Sequence, residues 1–100
     1  MRTQRRANER RRLKLERDLE RLAKLQPGGA PDRPIPVGAP PQIDIITQRT
    51  RCPICQTTLR LEQHEASTIE GVPLRVARTF CAQCGTKRPL YFRLSPESLH

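Results

Sequence analysis

Large side chains are scarce in this sequence: its 100 residues include three aromatics, Phe80, Tyr91 and Phe92. Aromatic groups carry much of the burial in small cores. A folded part of about 50 residues without them buries too little surface to be secure unless a disulfide, a metal or a partner supplements it. Long apolar runs are also missing, none reaching even 10 residues, so no segment has the length expected of a membrane-spanning helix or of a signal-peptide core. The arginine-rich start has the charge of a transit peptide, yet it contains no Ser and carries four acidic residues among its first 25. The chain is therefore read as cytoplasmic, without a membrane partner, where thiols stay reduced and a disulfide scaffold is disfavoured. No Ser/His/Asp grouping, glycine-rich phosphate loop or carboxylate pair stands out, so nothing argues for an enzyme or a small-molecule substrate.

What is abundant is positive charge. The formal net charge is +9, which points to an anionic partner, most economically nucleic acid. Residues 1–25 hold ten Lys/Arg against four Asp/Glu, so most of the excess lies in the first quarter of the chain. The stretch "RTQRRANERRRLKLERDLERLAKL" lacks Gly and Pro and is rich in strong helix formers, predicting a basic helix over residues 1–25. Leu15, Leu19 and Leu22 fall at i, i+4 and i+7 on it, too short a stripe for a coiled coil. Residues 26–41, "QPGGAPDRPIPVGAPP", contain six Pro and three Gly and read as a linker with a flexible Gly-Gly joint. Linker and lead-in together are assigned to residues 26–47, and a third segment to 48–100.

That remaining part reads as β. "QIDIITQ" alternates around Ile43 and Ile45. "TTLRLEQH" places Leu59 and Leu61 on one face, "GVPLRVARTF" places Val72, Leu74 and Val76 on one face, and "PLYFRL" turns Leu90, Phe92 and Leu94 inward. Pro73 cannot donate to a ladder, which predicts an edge strand or one that begins after it. "EASTIEG", around Gly71, is the expected hairpin.

Cys52, Cys55, Cys81 and Cys84 form Cys-x2-Cys-x25-Cys-x2-Cys. Two such pairs across a strand-sized spacer are a zinc signature, because Zn²⁺ takes four thiolates in a tetrahedron and a two-residue gap turns both sulfurs of a pair toward one point. Pro53 stiffens the first turn. Gly85 supplies the positive φ the second needs, whereas Gln56 stands at the equivalent place in the first. Arg51, Lys87 and Arg88 flank the turns and offset the −2 charge of a zinc tetrathiolate. A redox pair would need a thiolate at a helix N-terminus, and no helix is expected after Cys55 or Cys84. His64 and His100 are surplus to a four-cysteine site, and His64 is expected at the surface.

"CPIC" and "CAQCG", each opening a hairpin-like segment, resemble the two knuckles of the zinc-ribbon superfamily over residues 48–95. The resemblance implies a small metal-stabilised β fold: a three-stranded antiparallel ribbon with Zn²⁺ at one end, here preceded by a basic α-helix and a Pro/Gly-rich linker. It implies no catalysis by the metal. Rubredoxin-like iron uses the same ligands, but those sites are acidic and walled by aromatics, unlike this chain.

Two functions emerge as expectations. In the first, the protein associates with RNA, DNA or a ribonucleoprotein or transcription complex. Arg5, Arg6, Arg10, Arg11 and Arg12 would clamp phosphates, and Arg60, Arg75 and Arg93 would add contacts beside Tyr91 on the outward face of the sheet. In the second, it is a protein-interaction adaptor docking through Leu15, Leu19 and Leu22 and the sheet edge.

Overall fold

The computed structural model describes residues 2–94; His100 lies outside the described residues. Helix α1 spans Arg2–Leu25. Pro27 and the glycines after it end it, with the Gln26 N–H donating to Ala23 O at 3.2 Å and the Gly29 N–H to Gln26 O at 2.9 Å. At about 1.5 Å per residue the helix is roughly 36 Å long, and nearly all of it is exposed until Ala23, which is buried. The radius of gyration, 16.1 Å, exceeds the value of about 13 Å for a compact chain of this length, as a projecting arm requires.

The body is a four-stranded sheet of β1 (Ile35–Val37), β2 (Arg60–Ile69), β3 (Val72–Phe80) and β4 (Lys87–Leu94) in the order β1-β4-β3-β2. Strands β2, β3 and β4 form the expected antiparallel meander, and β1 adds a fourth strand parallel to β4. The expected count of three strands is thus corrected to four. Strand β1 comes from the proline-rich stretch read as a linker. Its joint is held rather than free: the Gly28 N–H donates to Arg33 O (2.6 Å), and Gly28 O accepts from the Tyr91 N–H (2.9 Å). At Gly29 a Cβ would run into the Ala23 carbonyl and the Lys24 backbone, so only glycine lets the chain turn this tightly against the end of α1.

A second correction concerns "QIDIITQ", which forms a helix, α2 (Pro40–Arg49), rather than a strand. Two prolines occupy its first turn, where a missing N–H costs nothing. Ile43 and Thr47 are buried, Ile46 is half-buried, and Ile45 points out with 49% of its surface exposed, the i, i+3, i+4 pattern of a helix. Ile43 joins Val37, Ala77, Leu90 and Phe92 in the core, with Ile35, Ile46 and Leu94 packed around them. Leu90, Phe92 and Leu94 turn inward as expected.

The other strand assignments hold in part. Leu74 and Val76 are buried, but Val72, at the hairpin end, is 44% exposed. Ala77 and Thr79, on the opposite face of β3, are buried as well. Leu59 and Leu61 do not share one environment: Leu59 is buried, whereas Leu61 is exposed beside an irregularity in the β2–β3 register. Pro73 lies in an inner strand, ahead of the first β3–β4 pair, Arg75 with Phe92, so its missing N–H removes no bond to β4. The β2–β3 hairpin turns on Glu70 and Gly71, with φ of 50° and 79°, the double positive φ of the tight turn that matches strand twist. His64 faces Ala77 across the sheet and is half-buried, with Nε2 enclosed and unpartnered among the described residues; it is not the surface residue expected.

Candidate metal centre

The hairpin explains how cysteines 25 residues apart in sequence meet. Arg60 pairs with Phe80, so the residues just before β2 lie beside those just after β3. The first knuckle sits between α2 and β2, closed by a bridge from Arg51 to Thr58, and the second between β3 and β4. Both have the same backbone plan. The Cys52 N–H donates to Thr57 O at 2.7 Å and the Gln56 N–H to Cys52 O at 2.9 Å. In the second, the Cys81 N–H donates to Thr86 O and the Gly85 N–H to Cys81 O, each at 2.8 Å. Gln56 has φ 63° and Gly85 φ 77°. The two knuckles therefore differ in residue type at this position but not in shape.

The four Sγ atoms lie within 4.8 Å of one another. Cys52 is 3.5 Å from Cys84, Cys55 is 3.2 Å from Cys81, and Cys55 is 3.8 Å from Cys84. None is disulfide-bonded. A tetrahedron with arms of about 2.3 Å has edges of about 3.8 Å, so the cluster has the size of a tetrathiolate metal site.

Burial divides the four. The leading cysteine of each knuckle, Cys52 and Cys81, is fully buried, whereas Cys55 is half-buried and Cys84 exposed. Burial pushes the Cys52 thiol up to about 11, against the Cys55 and Ile54 N–H groups, which favour its thiolate. Cys55 is pulled down to about 6, first by the Thr57 hydroxyl and then by the Thr57 backbone. Thr86 lowers Cys84 in the same way. The hydroxyls stand 3.3 Å from Cys55 Sγ and 3.1 Å from Cys84 Sγ. The Cys55 thiol donates to the Thr57 hydroxyl, which gives its own proton to Gln83 Oε1 (2.7 Å). The Thr57 and Thr86 backbone N–H groups donate to the sulfurs and hold their orientation, and no reading of the Cys pairs alone would reveal these partners. The matched signal is a Thr two residues after the second cysteine of each pair.

Of the flanking cations, Arg51 reaches the Gln56 carbonyl (3.4 Å) and braces the first knuckle. Arg88 donates to Ala23 O at 3.2 Å; desolvation lowers its pKa, and the Cys52 thiolate opposes that shift. One guanidinium thus links the end of α1 to the metal centre. Lys87 is exposed.

The residues expected at a nucleic-acid surface separate into groups. Arg5, Arg6, Arg10, Arg11 and Arg12 are all exposed on α1, but at 100° per residue they spread around the helix instead of forming one face. The coherent face is Arg6, Arg10, Lys14, Arg17, Arg21 and Lys24, at i, i+4, i+8, i+11, i+15 and i+18 within about 80° of arc. All six are exposed. Helical spacing would have revealed this stripe in the sequence. Leu15 and Leu22, each 58% exposed, and half-buried Leu19 occupy the other side of the helix. On the sheet, Arg60 and Arg93 share the face of Tyr91, but Arg75 lies opposite Phe92 on the core face. Alternation along the strand separates Arg75 from the expected group.

Comparison with protein-family models, curated proteins and solved structures finds no match. The cysteine cluster and the meander are compatible with a zinc ribbon. No helix among the described residues is long and apolar enough to cross a membrane.

Proposed function

We propose that this is a non-catalytic, structural-zinc protein that associates with nucleic acid through α1. Cys52, Cys55, Cys81 and Cys84 would hold Zn²⁺, which supplies folding free energy to the small sheet. Four sulfur donors at these separations fit a single zinc or iron ion better than metals that take oxygen ligands. The observation that carries the nucleic-acid half is the six-cation stripe of α1, exposed along its whole length on an arm that stands clear of the body. Such an array attracts phosphates irrespective of sequence and releases counterions on binding.

If all six cations engage, log K against log salt should fall with a slope of about −4 to −5, and Arg10, Arg17 and Arg21→Gln should halve it. Titration of a labelled oligonucleotide at several salt concentrations measures this. A dissociation constant indifferent to salt sinks the proposal.

The exposure of Leu15 and Leu22 favours a second reading, a protein adaptor docking through Leu15, Leu19 and Leu22. It wins if replacing these leucines with Ala abolishes recovery of a partner that otherwise survives high salt. The first reading wins if Arg10, Arg17 and Arg21→Gln does so instead.

A further inference from the structure

A cleft of about 530 Å³ opens where the last turn of α1 meets the second knuckle, and Tyr91 forms part of its wall. Pro53 and residues 29–31 also line it. Its charged lining is Lys24, Lys87 and Arg88 against one carboxylate, Glu20. Arg88 is engaged with the Ala23 carbonyl. Among the described residues the ion pair that forms is Arg78 with Glu65, so the ammonium groups of Lys24 and Lys87 are free to meet an anion. Lys24 is also the last cation of the α1 stripe. The cleft and the stripe therefore share Lys24, and Tyr91 stands in the wall of the cleft.

We infer that this cleft receives one nucleotide of a single-stranded nucleic acid, its base on the Tyr91 ring and its phosphates on Lys24 and Lys87, while the strand continues outward along α1. The inference rests on the nucleic-acid reading above and adds the form of the ligand. The cleft volume lies in the range of small-ligand sites, roughly 300–1,000 Å³. A duplex keeps its bases stacked and offers no free face to a ring in the wall of a cleft without paying to extrude one. An unpaired strand offers every base, and an aromatic platform beside a cationic groove is how such strands are held without sequence preference.

Tyr91 is the sole tyrosine and the chain has no Trp, so intrinsic fluorescence reports this site alone. The test titrates the full-length, zinc-loaded protein with oligouridylate and oligothymidylate of about twelve nucleotides, a length suited to single-strand binders. A hairpin duplex of equal phosphate count and inorganic polyphosphate are the controls. After correction for absorbance, at least one of the single strands should quench Tyr91 by on the order of half, the stronger response identifying the preferred sugar, and neither control should do so. Read by the anisotropy of a labelled oligonucleotide, since both variants lack the tyrosine, Tyr91→Ala should weaken single-strand binding about tenfold and Tyr91→Phe should retain it. Lys87→Gln, which leaves the sheet intact, should weaken it about threefold. Zinc content checks that each variant is folded. Salt-sensitive binding with Tyr91 fluorescence unchanged, or with Lys87→Gln and folded Tyr91→Ala both within about twofold of wild type, overturns the cleft assignment and leaves the nucleic-acid reading standing. Failure of every nucleic acid to bind at low salt overturns both.

Discussion

Gln56 and Gly85 occupy the same left-handed position in two otherwise matched turns, but only one of them is a residue suited to it. A side chain at positive φ costs about 1 kcal/mol or more relative to glycine. Gln56→Gly should therefore stabilise the metal-loaded protein by about 1 kcal/mol. A Cβ at Gly85 meets nothing within 4 Å, so Gly85→Ala should cost a similar amount through the backbone alone. Chemical denaturation of both variants checks the pair. The cysteines make a second prediction at this scale. Just after the metal is withdrawn at neutral pH, before the sheet opens, Cys55, with its thiol near 6, is mostly thiolate, and Cys84 is lowered and exposed. These two should alkylate well before Cys52, whose thiol stays protonated until about 11. Labelling of Cys55 should slow about tenfold for each pH unit below its pKa, because the thiolate is the nucleophile. Mass spectrometry of timed quenches reads the order, and metal loading should protect all four.

At the scale of elements, α2 separates two readings of the same residues. As a strand, Ile43 and Ile45 would share a face; as a helix they diverge, with Ile43 fully buried and Ile45 49% exposed. Ile43→Ala should cost roughly 2–4 kcal/mol and Ile45→Ala less than about 0.5 kcal/mol. Equal costs, measured by denaturation, would contradict the helix. The same element shows why part of the fold was illegible in the sequence. Alternation over three residues is too short to separate periods of 2 and 3.6, and Pro40-Pro41 suits the end of a linker as well as the first turn of a helix. Strand β1 has three residues, one a proline, and pairs in parallel with a strand over fifty residues away, so no local pattern marks it. Strands β2, β3 and β4, the Glu70-Gly71 turn and the cysteine cluster were legible because each depends on local spacing. The cationic stripe is legible too, because positions i, i+4, i+8, i+11, i+15 and i+18 mark one helix face.

For the whole molecule, the metal centre lies where both knuckles, the hairpin base and the end of α1 converge. The second core cluster is Cys52, Leu59 and Cys81 with Ile54 and Cys55 against it, so the ligands form much of the packing at that end. Chelation should therefore collapse the sheet instead of merely emptying a site. Circular dichroism should lose the β contribution, and the radius of gyration should rise from 16.1 Å toward about 30 Å, the unfolded value for this length. A chelated, metal-free sample that keeps its spectrum and its dimensions would refute a structural role for the metal.

The anchor that positions α1 is made of residues near the other end of the described chain: Arg88 holds Ala23 and Tyr91 holds Gly28. During synthesis the basic arm is thus translated long before anything exists to hold it. At about 5–20 residues per second the interval is several seconds, during which a cationic segment of marginal helicity is exposed at the ribosome surface beside ribosomal RNA. The cationic segment is therefore made before its own anchor, which can form only once the second knuckle and β4 are complete.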